Sequence, residues 1–234
     1  MVLVVLGLIA GALTTVAGLG GGMLLVLALS LAWGPHEALA VTAPALLVGN
    51  VHRLVMFRRQ VDRAVALRFA AGAIPASFLG GLAAVALPVI VLHVLLLGVA
   101  GLAVARETGA LRWQPPPAAI LPGGVAAGVL TATTGGGGLL VAPMLLASGL
   151  RGEAFVATGA AAAIAMHVGR IAAYGTGGLL DATTLGGSAV LAVAILAGNL
   201  GGRRIRGHLS ETATARITWA TLAVALVLAV AGLA

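Results

Sequence analysis

Long apolar runs separated by short clusters of glycine or arginine dominate the chain. They divide it into ten segments, at about 2–17, 20–32, 38–57, 64–85, 87–105, 118–133, 138–149, 154–174, 183–202 and 213–233. Each is read as a helix. Six reach the roughly 20 residues that a membrane-crossing helix needs. The other four form two pairs of short pieces, joined at Gly18-Leu19-Gly20-Gly21-Gly22 and at Gly135-Gly136-Gly137-Gly138. Glycine runs interrupt a helix because they are conformationally free and carry no side chain to pack.

The second half repeats the first. A shift of 116 residues lays Gly20-Gly21-Gly22 on Gly136-Gly137-Gly138, Thr15 on Thr131, Glu37-Ala38 on Glu153-Ala154 and Thr42 on Thr158. Slightly larger shifts pair Arg53 with Arg170, Asp62 with Asp181, and Leu79-Gly80-Gly81 with Leu200-Gly201-Gly202. The offset grows in one direction, as small loop insertions make it. Residues 1–117 and 118–234 are therefore expected to be two transmembrane repeats of one membrane domain. Each is a glycine-broken hairpin of short helices followed by three spans. Pro115-Pro116-Pro117 joins them as a stiff linker.

Composition sharpens this picture. The 234 residues are 61% hydrophobic and only 8% charged, against about 25% charged in soluble domains. Too little polar surface remains to coat a water-facing globule, so an ordinary soluble enzyme and a disordered chain are excluded. All thirteen basic residues are arginines. They are spread between apolar runs rather than gathered on one face, which argues against a nucleic-acid partner despite the net charge of +7. The absence of Cys removes thiol chemistry and Cys-ligated metal sites. The N-terminus lacks a basic n-region, so no cleaved signal peptide is expected.

The arginines also set an orientation. Arg53, Arg58, Arg59 and Arg63 surround the link between the third and fourth segments. Arg106 and Arg112 lie between the fifth and sixth, and Arg203, Arg204 and Arg206 between the ninth and tenth. These links are expected inside the cell. The links near 33–37, 85–88 and 175–183 carry no arginine and are expected outside. This holds only if each glycine hairpin enters and leaves on one side, which makes the two repeats inverted in topology. The expected fold is an all-α polytopic membrane protein with both termini outside. Arg170 alone falls on the wrong side for this rule.

Candidate chemistry sits at the glycine breaks. A helix that restarts after each break exposes free N–H groups and the positive end of its dipole, and an anion is the natural occupant. Gly20, Gly21, Gly22, Gly136, Gly137 and Gly138 are thus candidate substrate contacts, with hydroxyls from Thr14, Thr15, Thr131, Thr133 and Thr134 nearby. The competing reading is that the glycines only allow close helix packing, as the Gly7/Gly11, Gly124/Gly128 and Gly198/Gly202 pairs are expected to do. Asn50, His52 and Arg53 cluster late in the third segment, and His167 and Arg170 answer them in the eighth. These too are candidate substrate contacts, although Arg53 lies close enough to a helix end to snorkel. His93 reads as a packed or interfacial side chain, and Asn199 as a bond across helices. Glu37 and Glu153 open helices, where a carboxylate stabilises the N-terminus. No span holds a deep carboxylate, a metal-ligand set or a nucleophile with a base. No metal or cofactor is expected, and the histidines, Glu37 and Glu153 are the remaining candidate proton relays.

At its glycine clusters the sequence resembles the TauE/SafE sulfite exporter family. Gly18-Leu19-Gly20-Gly21-Gly22-Met23-Leu24-Leu25-Val26 resembles the first copy of that family's glycine stretch, without the proline that often follows it. Gly136-Gly137-Gly138-Leu139-Leu140-Val141-Ala142-Pro143 resembles the second, with Thr134 in place of the leading glycine. Gly198-Asn199-Leu200-Gly201-Gly202-Arg203-Arg204 is similar to the family's last basic loop. The resemblance covers nearly the whole chain. It implies transport of sulfur oxyanions or organosulfonates across the cytoplasmic membrane. The expected partners are a small anion and the lipid bilayer, with self-association left open. An anion channel filtered by the glycine loops, or an embedded enzyme, are the alternatives.

Overall fold

The computed structural model describes residues 1–17, 21–111, 113–206 and 208–232. Gly18, Leu19 and Gly20 of the first glycine cluster, and Arg112, lie outside the described residues. Among the described residues there are ten α-helices and no strand. The first half forms α1 (Val2–Ala17), α2 (Gly21–Trp33), α3 (Pro35–Met56), α4 (Arg63–Ala86) and α5 (Val89–Glu107). The second forms α6 (Ile120–Thr134), α7 (Gly138–Ala147), α8 (Gly152–Thr176), α9 (Ala182–Arg206) and α10 (Glu211–Ala231). Among the described residues seven helices are long and apolar enough to cross a membrane, one more than the sequence pattern gave. The extra one arises because a 3-10 turn at Pro117–Ala119 runs into α6 and extends it to 18 residues. The fold is that of an all-α, multi-pass membrane protein.

Local signals explain the helix starts. Pro35 opens α3 behind Gly34, whose φ of 88° suits glycine, and Glu37 sits in the first turn. Glu153 likewise sits in the first turn of α8. Asp62 caps α4 by accepting from the Val65 N–H at 3.0 Å, and Asp181 caps α9 by accepting from the Thr184 N–H at 2.7 Å. That Thr184 bond holds the Asp181 carboxyl below its ordinary value. The two aspartates that the internal repeat aligns thus do the same local job.

Packing follows the repeat as well. Helix α1 lies along α9, and its counterpart α6 lies along α4, the counterpart of α9. Helix α3 likewise meets α9, and α8 meets α4. Small residues let these backbones touch. A Cβ on Gly11 would strike the Ile195 carbonyl oxygen, one on Gly198 that of Leu8, and one on Gly202 that of Ala12. Gly124 and Gly128 meet the carbonyls of Phe69 and Ala73 in the same way. In lipid, where apolar burial gives little drive for helices to associate, such close approach supplies the packing energy. Asn199 adds a polar bridge: its Oδ1 accepts from the Thr15 hydroxyl at 3.0 Å, and its Nδ2 donates to Gly49 O at 3.2 Å.

Contacts also fix helix direction. Gly7 lies by Leu191 and Gly202 by Ala12, so α1 and α9 run the same way. The Ser188 hydroxyl donates to Val41 O and Asn199 to Gly49 O, which sets α3 parallel to α9. Gly72 lies by Leu121 and Gly80 by Val129, while Gly169 lies by Ile74 and Gly177 by Val85. Helices α4, α6 and α8 therefore share a direction. His36 at the start of α3 meets Ala84 O near the end of α4 at 3.1 Å, so the two sets are antiparallel. Helices α1 and α3 run opposite to their counterparts α6 and α8, and α4 runs opposite to α9.

Candidate functional site

The second glycine break is a turn between two short helices, α6 and α7. Helix α6 ends on Gly135, whose φ of 71° is left-handed and whose N–H donates to Thr131 O at 2.9 Å. Helix α7 restarts behind Gly137 with no side chain capping it; the Leu139 and Leu140 N–H groups fold back onto Gly136 O and Gly137 O at 3.1 and 3.0 Å. This turn meets the first turns of α2: a Cβ on Gly135 would press on Val26 and lie 3.7 Å from Gly22 O.

Beside this meeting point is a cavity of about 180 Å³, many times the roughly 10–15 Å³ that one water requires. Thr14, Gly22, Asn50, Arg53, Gly136 and His167 lie at its inner end. Apolar side chains such as Leu46, Val141, Leu145 and Phe155 form walls. Glu107, exposed in the last turn of α5, and Thr218, early in α10, lie at its mouth, while Arg106 reaches in to Leu139 O beside the glycine break. The mouth faces the end of the bundle that carries Arg58, Arg59, Arg203 and Arg204. At the opposite end Leu24, Leu27, Leu92, Leu96, Tyr174 and Ala229 pack into one apolar core.

Two arginines flank the breaks in matching ways. Arg53 donates from Nη1 to Thr14 O at 3.2 Å and from Nη2 to Asn50 Oδ1. Arg170 donates from Nη1 to Thr131 O at 3.2 Å. In both cases donor and acceptor are 39 residues apart. Both carbonyls belong to the last turn of a broken helix, where the dipole is negative, and Thr131 O accepts from the Gly135 N–H as well as from Arg170. Thr14 and Thr131 also match in their hydroxyls, which donate to Ala10 O at 2.6 Å and to Ala127 O at 2.8 Å. Structure therefore pairs Thr14 with Thr131, where the shift of 116 had paired Thr15 with it. Gly21 and Gly137 match at a shift of 116, so the first hairpin carries one more residue than the second between its threonine and its glycine.

The arginines differ in one respect. Arg53 lines the cavity, whereas Arg170 lies behind it with no exposed surface. Arg170 Nε and Nη2 make no hydrogen bond. Tyr174 neighbours that guanidinium and gives its own hydroxyl proton to Ala132 O. Among the described residues neither arginine has a carboxylate within ion-pair distance. His167, one turn before Arg170, lines the cavity at 5% exposure, and its Nδ1 has no hydrogen-bond partner.

The structure brings together part of the set expected from sequence. Gly22, Gly136, Gly138, Thr131, Asn50, Arg53 and His167 all line the cavity. Gly21 and Gly137 turn the other way, into their own hairpins, where a Cβ would collide with Ala10 O and Ala127 O. Thr15 faces α9 through Asn199. Thr134 donates to Leu130 O and accepts from the Gly136 N–H, so it stabilises the turn. His52 is half-buried and does not line the cavity. Gly20 lies outside the described residues. Arg53 does not snorkel: at 8% exposure it reaches inward to the end of α1. Arg106, read in the sequence as a loop charge, extends to Leu139 O. Arg106, Glu107, Thr218 and Thr221 join the lining from α5 and α10, and nothing in their spacing sets them apart from ordinary helix-end residues.

A water-sized path, guanidinium and imidazole donors, a helix N-terminus and no carboxylate at the inner end suit a small anion. Neither the curated proteins nor the solved structures give a match to this chain. The family model described as Sulfite exporter TauE/SafE matches residues 3–232, nearly all of the 234. The chain therefore belongs to the TauE/SafE family of membrane sulfite exporters.

Proposed function

We propose that the chain is a carrier that exports a small anion, a sulfur oxyanion or an organosulfonate, by alternating access of two inverted repeats. Residues 1–117 and 118–234 form the repeats. The observation that carries this reading is the cavity floor, where Arg53, Asn50, His167 and the glycine break converge with no acidic side chain. The opposed directions of α1 and α6, α3 and α8, and α4 and α9 support the inverted relation, which builds central sites in many secondary transporters. The arginine-rich mouth is the cytoplasmic one by charge distribution.

A carrier is favoured over a channel because the path is closed at one end. The apolar core around Leu92, Leu96 and Tyr174 fills the half opposite the mouth. Flux in proteoliposomes against a panel of oxyanions and short sulfonates tests the reading. A carrier saturates, and substrates compete. Flux that rises linearly with concentration, without competition, contradicts it and supports a pore.

A further inference from the structure

We infer that Arg170 is the outward-facing counterpart of Arg53, and that the two guanidiniums hold the transported anion in turn. Arg53 serves the state open to the cytoplasm, and Arg170 serves the state open to the outside. This rests on the carrier reading above. It adds a second anion site that is sealed in the present conformation.

Three observations carry it. The two arginines are equivalent in backbone anchor and in distance along the chain to that anchor. They are unequal in access: one lines the cavity and the other is enclosed with two N–H-bearing nitrogens unsatisfied. A cation left in this condition is costly, and a second conformation that offers it an anion gives that cost a purpose. The third observation is where the halves differ. Helix α2 packs along α10, whereas the corresponding contact between α7 and α5 is slight. The looser contact, bridged by Arg106 to Leu139 O, is what leaves the cavity open.

Exchanging the conformations of the two halves predicts the other state. The cavity wall Val156, Gly159 and Ala160 lies 117 residues from Leu39, Thr42 and Ala43. Those three have no exposed surface and do not line the cavity, whereas Val156 at 7% and Ala160 at 1% border it. When α2 withdraws from α10 and α7 closes on α5, Leu39, Thr42 and Ala43 become the wall of an outward cavity. Arg170 then reaches its floor and Arg53 is sealed. His167 and Asn50, also 117 residues apart, face the anion from either side. The ligand in both states is the same, a small anion with at least two acceptor oxygens, because a guanidinium binds such a group through paired N–H donors.

The chain has no cysteine, so single cysteines report access directly. Ala160→Cys and Ala43→Cys are placed in otherwise unaltered protein in oriented membranes, with sulfite and ethanesulfonate as the probe anions. Ala160→Cys is expected to react with an impermeant thiol reagent from the cytoplasmic side, and Ala43→Cys from the outside. Arg170→Gln is expected to raise the half-saturating anion concentration chiefly on the outer side, by about tenfold or more, and Arg53→Gln chiefly on the cytoplasmic side. An inert Ala43→Cys while the same protein exchanges anion overturns the inference, even where Arg170→Gln fails to fold. Equal shifts on both sides for the two arginine variants overturn it as well. Absence of exchange of either anion by the parent protein overturns the carrier reading, and this inference with it.

Discussion

Arg170 donates from Nη1 to the main-chain oxygen of Thr131 at 3.2 Å, so a fully enclosed cation closes the end of a broken helix. The bond serves two purposes. It adds a charged donor at the negative end of α6, on a carbonyl that also accepts from the Gly135 N–H, and it fixes a guanidinium beside the glycine turn. Arg58, in the link between α3 and α4, has no comparable role and is exposed. Arg170→Gln is expected to cut anion flux by about tenfold or more, since a hydrogen bond to a charged group contributes about 1.5–3 kcal/mol. Arg58→Gln is expected to leave flux within about twofold at matched expression, as surface changes usually do. A larger loss at Arg58 would reject the assignment.

The glycines of the breaks divide into two roles, and substitution separates them. Gly21→Val and Gly137→Val push a side chain into Ala10 O and Ala127 O of the neighbouring short helix. Both are expected to lower the unfolding temperature in detergent and abolish flux. A Cβ at Gly22 meets only Leu46, at 3.3 Å, so Gly22→Ala is expected to stay folded while losing transport, because it narrows the cavity floor. Native stability in Gly21→Val would contradict this division.

Asn199 ties α9 to α1 and α3 through Thr15 and Gly49. Asn199→Leu removes both bonds at a residue only 1% exposed. A loss of roughly 1–2 kcal/mol of unfolding free energy is expected, in line with polar contacts between membrane helices. Equilibrium unfolding in mixed micelles measures it. An unchanged midpoint would mean that the bridge adds nothing to stability.

Sequence pattern located the helices well and their faces poorly. The glycine break between α6 and α7 follows from backbone chemistry, whereas α3, read from the apolar run at 38, begins earlier, at Pro35. The last turn of α9 was missed because Arg203 and Arg204 mark a membrane exit by charge, yet the helix runs on to Arg206. Which side of a span faces protein is harder to read. Lipid-facing and protein-facing positions are both apolar here, so periodicity does not separate them. That is why Arg106, Thr218 and Thr221 passed as helix-end residues, and why Gly21 and Gly137 were grouped with Gly22 and Gly136. The one-residue slip between Thr14 and Thr15 was equally hidden, because Thr131 falls opposite one of these two adjacent threonines at either offset.

The orientation rests on the arginine distribution. Ala64, at the exposed start of α4 beside the arginine-rich link, offers the test. A cysteine there is expected to react with an impermeant reagent only after the inner face is opened. Reaction from outside intact cells would invert the whole topology.

The central claim is that this chain carries a small anion through the Arg53 cavity. No carboxylate lies deep in a span, and export of an anion is favoured by about 2.3 kcal/mol per charge for each 100 mV of inside-negative potential. The most direct measurement is efflux of sulfite and of a short sulfonate from proteoliposomes at fixed pH and fixed sodium, with the potential clamped by a potassium gradient and ionophore. Saturable efflux that accelerates as the interior becomes more negative, and that Arg53→Gln suppresses, is the expected result. Efflux that ignores the potential, or that proceeds unchanged without Arg53, would contradict it.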